Sequence, residues 1–107
     1  FHNLGDQMFA IVYITASNID EAKNIARILV KEKLAACINM FPITSIYNWN
    51  GIQEDNEIAM IVKTTSKNIK DLENRIKEIH SYEVPCLIYQ SINGSKEFLD
   101  WIKSKTE

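Results

Sequence analysis

Histidine and glycine are nearly absent from this chain, and each shortage removes a class of chemistry. There are 2 histidines, one in the opening stretch FHNLGDQ (1–7) and the other at His80. No Ser-His-Asp set can be built from so few. Neither cysteine has a base close to it in sequence, so the chain does not read as an enzyme. The 3 glycines do not cluster, which leaves no Gly-rich phosphate cradle. The 2 cysteines, Cys37 and Cys86, are too few for a disulfide framework and too widely spaced for a zinc ribbon. Their scarcity points to a reducing, cytoplasmic setting. An excess of positive charge is missing as well: 12 Lys and Arg face 14 Asp and Glu, for a net charge of −2. Without a basic block the chain lacks the electrostatic footprint of a nucleic-acid binder. No apolar run is long enough to span a bilayer, so neither nucleic acid nor a membrane is an expected partner. The opening stretch lacks the charged-then-apolar plan of a signal peptide. Residues 1–7 read as an extension ahead of one domain over 8–107.

What is present is ordinary in amount and informative in order. A chain of 107 residues that is 46% hydrophobic and 24% charged is one globular domain by length and composition. MFAIVYITA (8–16) is β-branched and aromatic without a breaker, and predicts a strand. Ser17 is an expected N-cap, followed by the acids Asp20 and Glu21, which suit the positive end of a helix dipole. Ala22, Ile25, Ala26 and Leu29 then form one apolar stripe of a helix over 18–33. AACINMFPITSIYNWN (35–50) is extended, with Pro42 placing it at a sheet edge or bulge. Asn50-Gly51 predicts a type I′ hairpin turn, and the return strand runs to Thr65. Ser66 is the next expected cap. Ile69, Leu72, Ile76 and Ile79 mark a second amphipathic helix to about His80. Pro85 pushes Val84 toward extended geometry, opening a strand over 84–92. Ser95 caps a short last helix, KEFLDWIKSK (96–105).

The order β-α-β-β-α-β plus a tail helix predicts an α+β domain of the ferredoxin-like, split-βαβ type. It has an antiparallel sheet in strand order 4-1-3-2, with both long helices on one face. Such strands should alternate apolar with polar residues. These do not. Phe9, Ile11 and Tyr13 oppose Ala10, Val12 and Ile14, while Ile58, Met60 and Val62 oppose Ala59 and Ile61. Val84, Cys86 and Ile88 likewise oppose Leu87 and Tyr89. The helices can cover one oily face only, and an uncovered one is an aggregation hazard. A second copy of the chain is the expected cover. The alternative is the tail helix folding beneath the sheet. The long hairpin, with Tyr47 and Trp49 near its tip, reads as an interface arm.

Few constellations could carry chemistry. His80, Glu83 and Cys86 form a candidate soft site for copper or another divalent cation. The plainer role for His80 is as a partner to a helix C-terminus. Cys37 and Cys86 sit on opposite edges of the expected sheet, so a bond between them within one chain is not expected. Lys63 is a candidate anion contact. Tyr13 and Tyr89 are candidate base-stacking residues, but basic neighbours are lacking. The acidic run QEDNE (53–57) reads as a solvated strand start.

Several segments together resemble the CutA divalent-cation tolerance family. KLAACINMFPITSIYNWNG (33–51) is similar to its Ala-Cys-hydrophobic-Asn followed by Ser-x-Tyr-x-Trp-x-Gly. IVKTT (61–65) resembles its Lys-Thr stretch, HSYEVPCLI (80–88) its His-Pro-Tyr-Glu-Val-Pro-Glu, and FLDWI (98–102) its Tyr-Leu-x-Trp. The resemblance implies a ferredoxin-like homotrimer related in architecture to the P-II signal proteins, with a long hairpin wrapping a neighbour. It implies a link to tolerance of divalent metals and to copper binding, and a sensor or adaptor more than an enzyme. It also implies that Cys37, Tyr47, Trp49, Lys63, Tyr82, Glu83 and Trp101 line clefts between subunits, where a metal, a protein or a small metabolite could bind. The chain departs from the family pattern at Ile14, Ile79, Ser81 and Cys86, which stand where relatives carry Cys, His, Pro and Glu. Of the family's copper set only His80 is kept.

Overall fold

A computed structural model describes residues 8–107. The elements are β1 (Phe9–Ala16), α1 (Ile19–Lys31), β2 (Cys37–Asn48), β3 (Ile52–Thr65), α2 (Ile69–Ile79), β4 (Leu87–Ile92) and α3 (Lys96–Lys105). The four strands form one sheet in the order β2-β3-β1-β4, antiparallel throughout. This is the split-βαβ arrangement that the element order predicts. The expectation that residues 1–7 form an extension lies outside the described residues.

Local chemistry moves several boundaries from their expected places. Ser17 is not the N-cap of α1. Asn18 is: its backbone is extended and its side-chain oxygen accepts from the Glu21 N–H at 2.8 Å. Ser17 instead donates its N–H and hydroxyl to Glu21 Oε1, at 2.9 and 2.8 Å, closing a reciprocal cap one residue earlier. The helix ends at Lys31, and the chain leaves through Lys33, whose φ of +62° no helix can continue. Ser66 likewise does not cap α2; Ser66–Asn68 form a 3-10 turn and the α-helix begins at Ile69. Ser95 does cap α3, accepting from the Phe98 N–H. Asn50 and Gly51 both take positive φ, as expected, but the ladder closes at Asn48 opposite Ile52. The loop is therefore the longer Trp49-Asn50-Gly51 and not a two-residue turn. Pro42 lies on the edge strand β2, where its missing N–H costs no ladder bond on the open side. The fourth strand starts at Leu87, not Val84. Pro85 cannot donate to a ladder, and the N–H groups of Ser81 and Tyr82 are spent on side chains.

The two faces of the sheet differ in cover, not in oiliness. On the helix side Ala10, Val12, Ile14 and Ala16 of β1 are fully buried against Ala22, Ile25 and Leu29 of α1 and Leu72 and Ile76 of α2. On the opposite side Phe9, Ile11 and Tyr13 are only half-buried. The register continues that open face through Ile61 and Phe41 on one flank and Ile88 on the other. Phe41 is 41% exposed and Ile88 63%. The tail helix does fold beneath this face, as the alternative had it, but covers one end only: Leu99 and Ile102 pack with Ala36 and Phe9. The β2–β3 hairpin also outruns the sheet. β1 spans 8 residues and pairs with β3 from Ile58 to Thr65, so the outer arm from Ile52 to Glu57 pairs with β2 alone.

Candidate functional site

Where β1 ends and the hairpin leaves the sheet, the His80–Cys86 segment crosses over and borders an open cavity of about 420 Å3. Its walls are Thr15 from β1, Tyr47 and Trp49 from the hairpin tip, Glu57 from β3, and Tyr82, Glu83, Val84 and Cys86 from the crossing segment. Glu57 reaches it by strand alternation, on the same face as Ala59 and Ile61. The Tyr82 hydroxyl donates to Glu57, and the Tyr47 hydroxyl donates to Asp55. Both phenols are harder to ionise than usual. For Tyr82 burial is the larger cause and the Glu57 hydrogen bond the next; for Tyr47 the Asp55 hydrogen bond leads.

His80 fixes that segment from behind. Its side chain is 0% exposed. Nδ1 accepts from the Tyr82 N–H at 3.0 Å, so Nε2 carries the proton and donates to the Thr15 carbonyl at 2.7 Å. Glu21 adds a second tie. Its Oε2 accepts from the Ser81 N–H at 2.8 Å while Oε1 holds Ser17. Partial burial alone would raise the Glu21 pKa, but the hydrogen bonds from Ser17 and Ser81 outweigh it and hold the carboxyl at about 2. The helix-end role of His80 is thus the one its geometry supports.

The candidate metal set is divided by this arrangement. Glu83 and Cys86 line the cavity, but His80 does not, and both of its ring nitrogens are engaged by the Thr15 carbonyl and the Tyr82 N–H. Burial, then the Glu57 charge, pushes the Cys86 thiol up, away from the thiolate that binds soft metals. Among the described residues no three or more His, Cys, Asp and Glu side chains converge as a metal ion needs. The described residues of one protomer do not fit a metal centre.

Comparison with known proteins agrees with the fold. Residues 10–105 match the family described as CutA1 divalent ion tolerance protein. The chain belongs to the CutA1 divalent ion tolerance family. It is 46% identical to the divalent-cation tolerance protein CutA of Archaeoglobus fulgidus, over 94% of this chain and 100% of that one. It is 42% identical to the protein of the same name from Thermus thermophilus, over 92% of this chain and 99% of that one. The solved structure of the Archaeoglobus fulgidus protein, there called periplasmic, superposes with a TM-score of 0.92 over the same 94% and 100%.

The other residues that the family resemblance singled out lie elsewhere. Tyr47, Trp49, Tyr82 and Glu83 share the cavity, whereas Cys37, Lys63 and Trp101 sit at the far end of the hairpin, near α3. There Cys37 is the cross-strand partner of Lys63, and the Lys63 ammonium lies 5.4 Å from the centre of the Phe98 ring, which stacks on Trp101. An aromatic ring, not an anion, is what Lys63 meets in the protomer. Tyr13 and Tyr89 point to opposite faces of the sheet, since Tyr13 pairs with Ile88 and Tyr89 with Val12. A shared base-stacking platform cannot form from them. Both cysteines are free thiols. Sequence pattern gave Glu21 only a helix-dipole role and Glu57 only a solvated one. Glu57 was hidden in an acidic run, though its place two residues before Ala59 puts it on the cavity face. The tie from Glu21 to Ser81 gives no signal, because the two are 60 residues apart in sequence.

Proposed function

We propose that this chain acts without catalysis, as a cytoplasmic homotrimer in divalent-cation tolerance, and binds its cation where copies meet. The half-covered sheet face carries this reading. Ile11, Tyr13, Ile61, Phe41 and Ile88 leave a continuous oily strip that water does not favour. Fully burying one aliphatic side chain is worth about 1.5–3 kcal/mol, so closing several against a second copy drives assembly. The number three comes from the family resemblance. Because the described residues of one protomer do not bring three donors together, a metal site in this reading joins donors from two copies. Glu83 and Cys86 would supply carboxylate and sulfur, and His80 would have to surrender the Tyr82 N–H to join them. Copper suits imidazole and thiolate best.

Sedimentation equilibrium at micromolar concentration tests the assembly: three chain masses are expected, and a lone chain overturns the reading. Calorimetric titration with copper and with zinc tests the site. Cys86→Ser and Glu83→Gln are expected to lower the heat, while equal heats from wild type and His80→Ala would remove His80 from the set.

A second reading has its own support. The aromatic walls of the cavity suit a small organic ligand, which would make the assembly a signalling or adaptor protein that reports a metabolite.

A further inference from the structure

Two Asn-Gly pairs lie in the chain, Asn50-Gly51 at the hairpin tip and Asn93-Gly94 between β4 and α3. In such a pair the glycine nitrogen can attack the side-chain carbon of the asparagine, because no Cβ hinders the backbone rotation that closes a succinimide ring. The two pairs are held differently. At the tip both residues take positive φ, and the Gly51 N–H donates to Asn48 Oδ1 at 3.2 Å. The nucleophile there is turned to a third residue. At the second pair the Gly94 N–H donates to Oδ1 of Asn93 itself, at 2.9 Å. The nitrogen is thereby held against the amide it would attack, and reacting atoms about 3–3.5 Å apart are what a near-attack arrangement requires. Both residues are exposed in the protomer. Gly94 immediately precedes Ser95, the cap of α3. Its nitrogen therefore lies at the positive end of that helix, which favours the negative charge left when the nitrogen loses its proton. The contact joins chain neighbours outside the hairpin, so it owes nothing to how copies assemble.

We propose that Asn93 is a self-modifying site, where the folded chain converts an amide to a carboxylate with water as the only co-reactant. The Gly94 nitrogen bonds to Asn93 Cγ, the Cγ–Nδ2 bond breaks, and the proton of that nitrogen leaves with Nδ2 as ammonia. Water then opens the succinimide at either carbonyl. One opening leaves aspartate. The other leaves isoaspartate, with the main chain rerouted through Cβ and Cγ. Both add a negative charge, and the second lengthens the joint between β4 and α3. Leu99 and Ile102 of α3 cover one end of the open sheet face, so the modified joint carries the age of the chain to that end.

The full chain is incubated in mildly alkaline buffer, folded and, in parallel, unfolded in urea, and its tryptic fragments are sequenced by mass spectrometry. Fragments 34–63 and 78–96 carry one Asn-Gly pair each. Asn93 is expected to gain one mass unit in the folded protein at least as fast as in the unfolded chain. Asn50 should convert at least about fivefold more slowly folded than unfolded, since a nucleophile held elsewhere forfeits near-attack geometry. Gly94→Ala is the variant: a Cβ there meets Leu99 Cδ2 at 3.9 Å, an ordinary contact, so the fold is kept. It should slow conversion at Asn93 at least about fivefold, by restricting the rotation that closes the ring, and leave Asn50 unchanged. Folding that protects both pairs alike, or an undiminished rate at Asn93 in Gly94→Ala, would overturn the proposal.

Discussion

At the scale of single residues, the crossing segment is held by side chains whose partners are remote in sequence. His80 joins Thr15 to Tyr82, and Glu21 joins Ser17 to Ser81. Removing either ring nitrogen's partner in a site with 0% exposure leaves a buried polar group unsatisfied, which costs about 1–3 kcal/mol. His80→Ala is therefore expected to lower the unfolding free energy by that amount, read as a lower urea midpoint at unchanged slope, with or without metal present. A copper-only role for His80 would leave the metal-free midpoint unmoved. Glu21 sets a pH signature. Its carboxyl titrates near 2 when folded, against an ordinary 4.5. A lowered folded pKa stabilises above the unfolded value and is lost as pH falls. Stability from Glu21 is thus complete above 4.5 and fades from there towards 2. Glu21→Gln should lower stability near neutral pH and flatten the acid limb in that window, as read by urea denaturation at stepped pH. The histidine was legible in the sequence as a helix-ending residue because Pro85 and the end of the Ile69–Ile79 stripe bracket it. Its two hydrogen-bond partners were not, since nothing in local pattern encodes contact between Thr15 and residues after α2.

At the scale of elements, sequence pattern was strong where periodicity was long and weak at the joints. Every strand and helix is where its apolar repeat or β-branched run puts it. The errors fall at caps and turns, where one hydrogen bond decides. Asn18 displaces Ser17 because an Asn oxygen reaches the Glu21 N–H while Ser17 serves the Glu21 carboxylate. Asn18→Ala should then cost about 0.5–2 kcal/mol, and Ser17→Ala should cost less, because Asn18 still caps. Reversal of that order in thermal melts would restore Ser17 as the cap. At the hairpin tip, a Cβ on Gly51 meets nothing within 4 Å, yet its φ is +106°. Gly51→Ala should cost about 1 kcal/mol from backbone conformation alone. Its effect should appear as local loosening of the tip in amide exchange, not as a fall in core packing.

At the scale of the whole molecule, the defining property is a sheet with oily residues on both sides and helices on one. That imbalance was fully legible, because Phe9, Ile11 and Tyr13 alternate with Ala10, Val12 and Ile14 in a strand that no turn interrupts. The reach of α3 was not legible: only packing shows that it stops at Leu99 and Ile102 and leaves the middle of the face open. Ile11→Asp, at the centre of that open face, places a charge where a second copy would seat. It is expected to abolish assembly in light scattering while far-UV dichroism keeps its shape. An unchanged particle mass would separate this face from any interface.

The overhanging hairpin has a consequence for the chain while it is alone. Between Ile43 and Asn48 its strand has a single neighbour, Ile52 to Glu57, and a two-stranded ribbon of that kind is marginal in water. Freshly made or highly diluted chains therefore have a soft limb attached to a hard body, with Ile46, Trp49 and Ile52 on it in the open. A protease added below the association threshold should cut there first, and the same bonds should become resistant as the chain is concentrated.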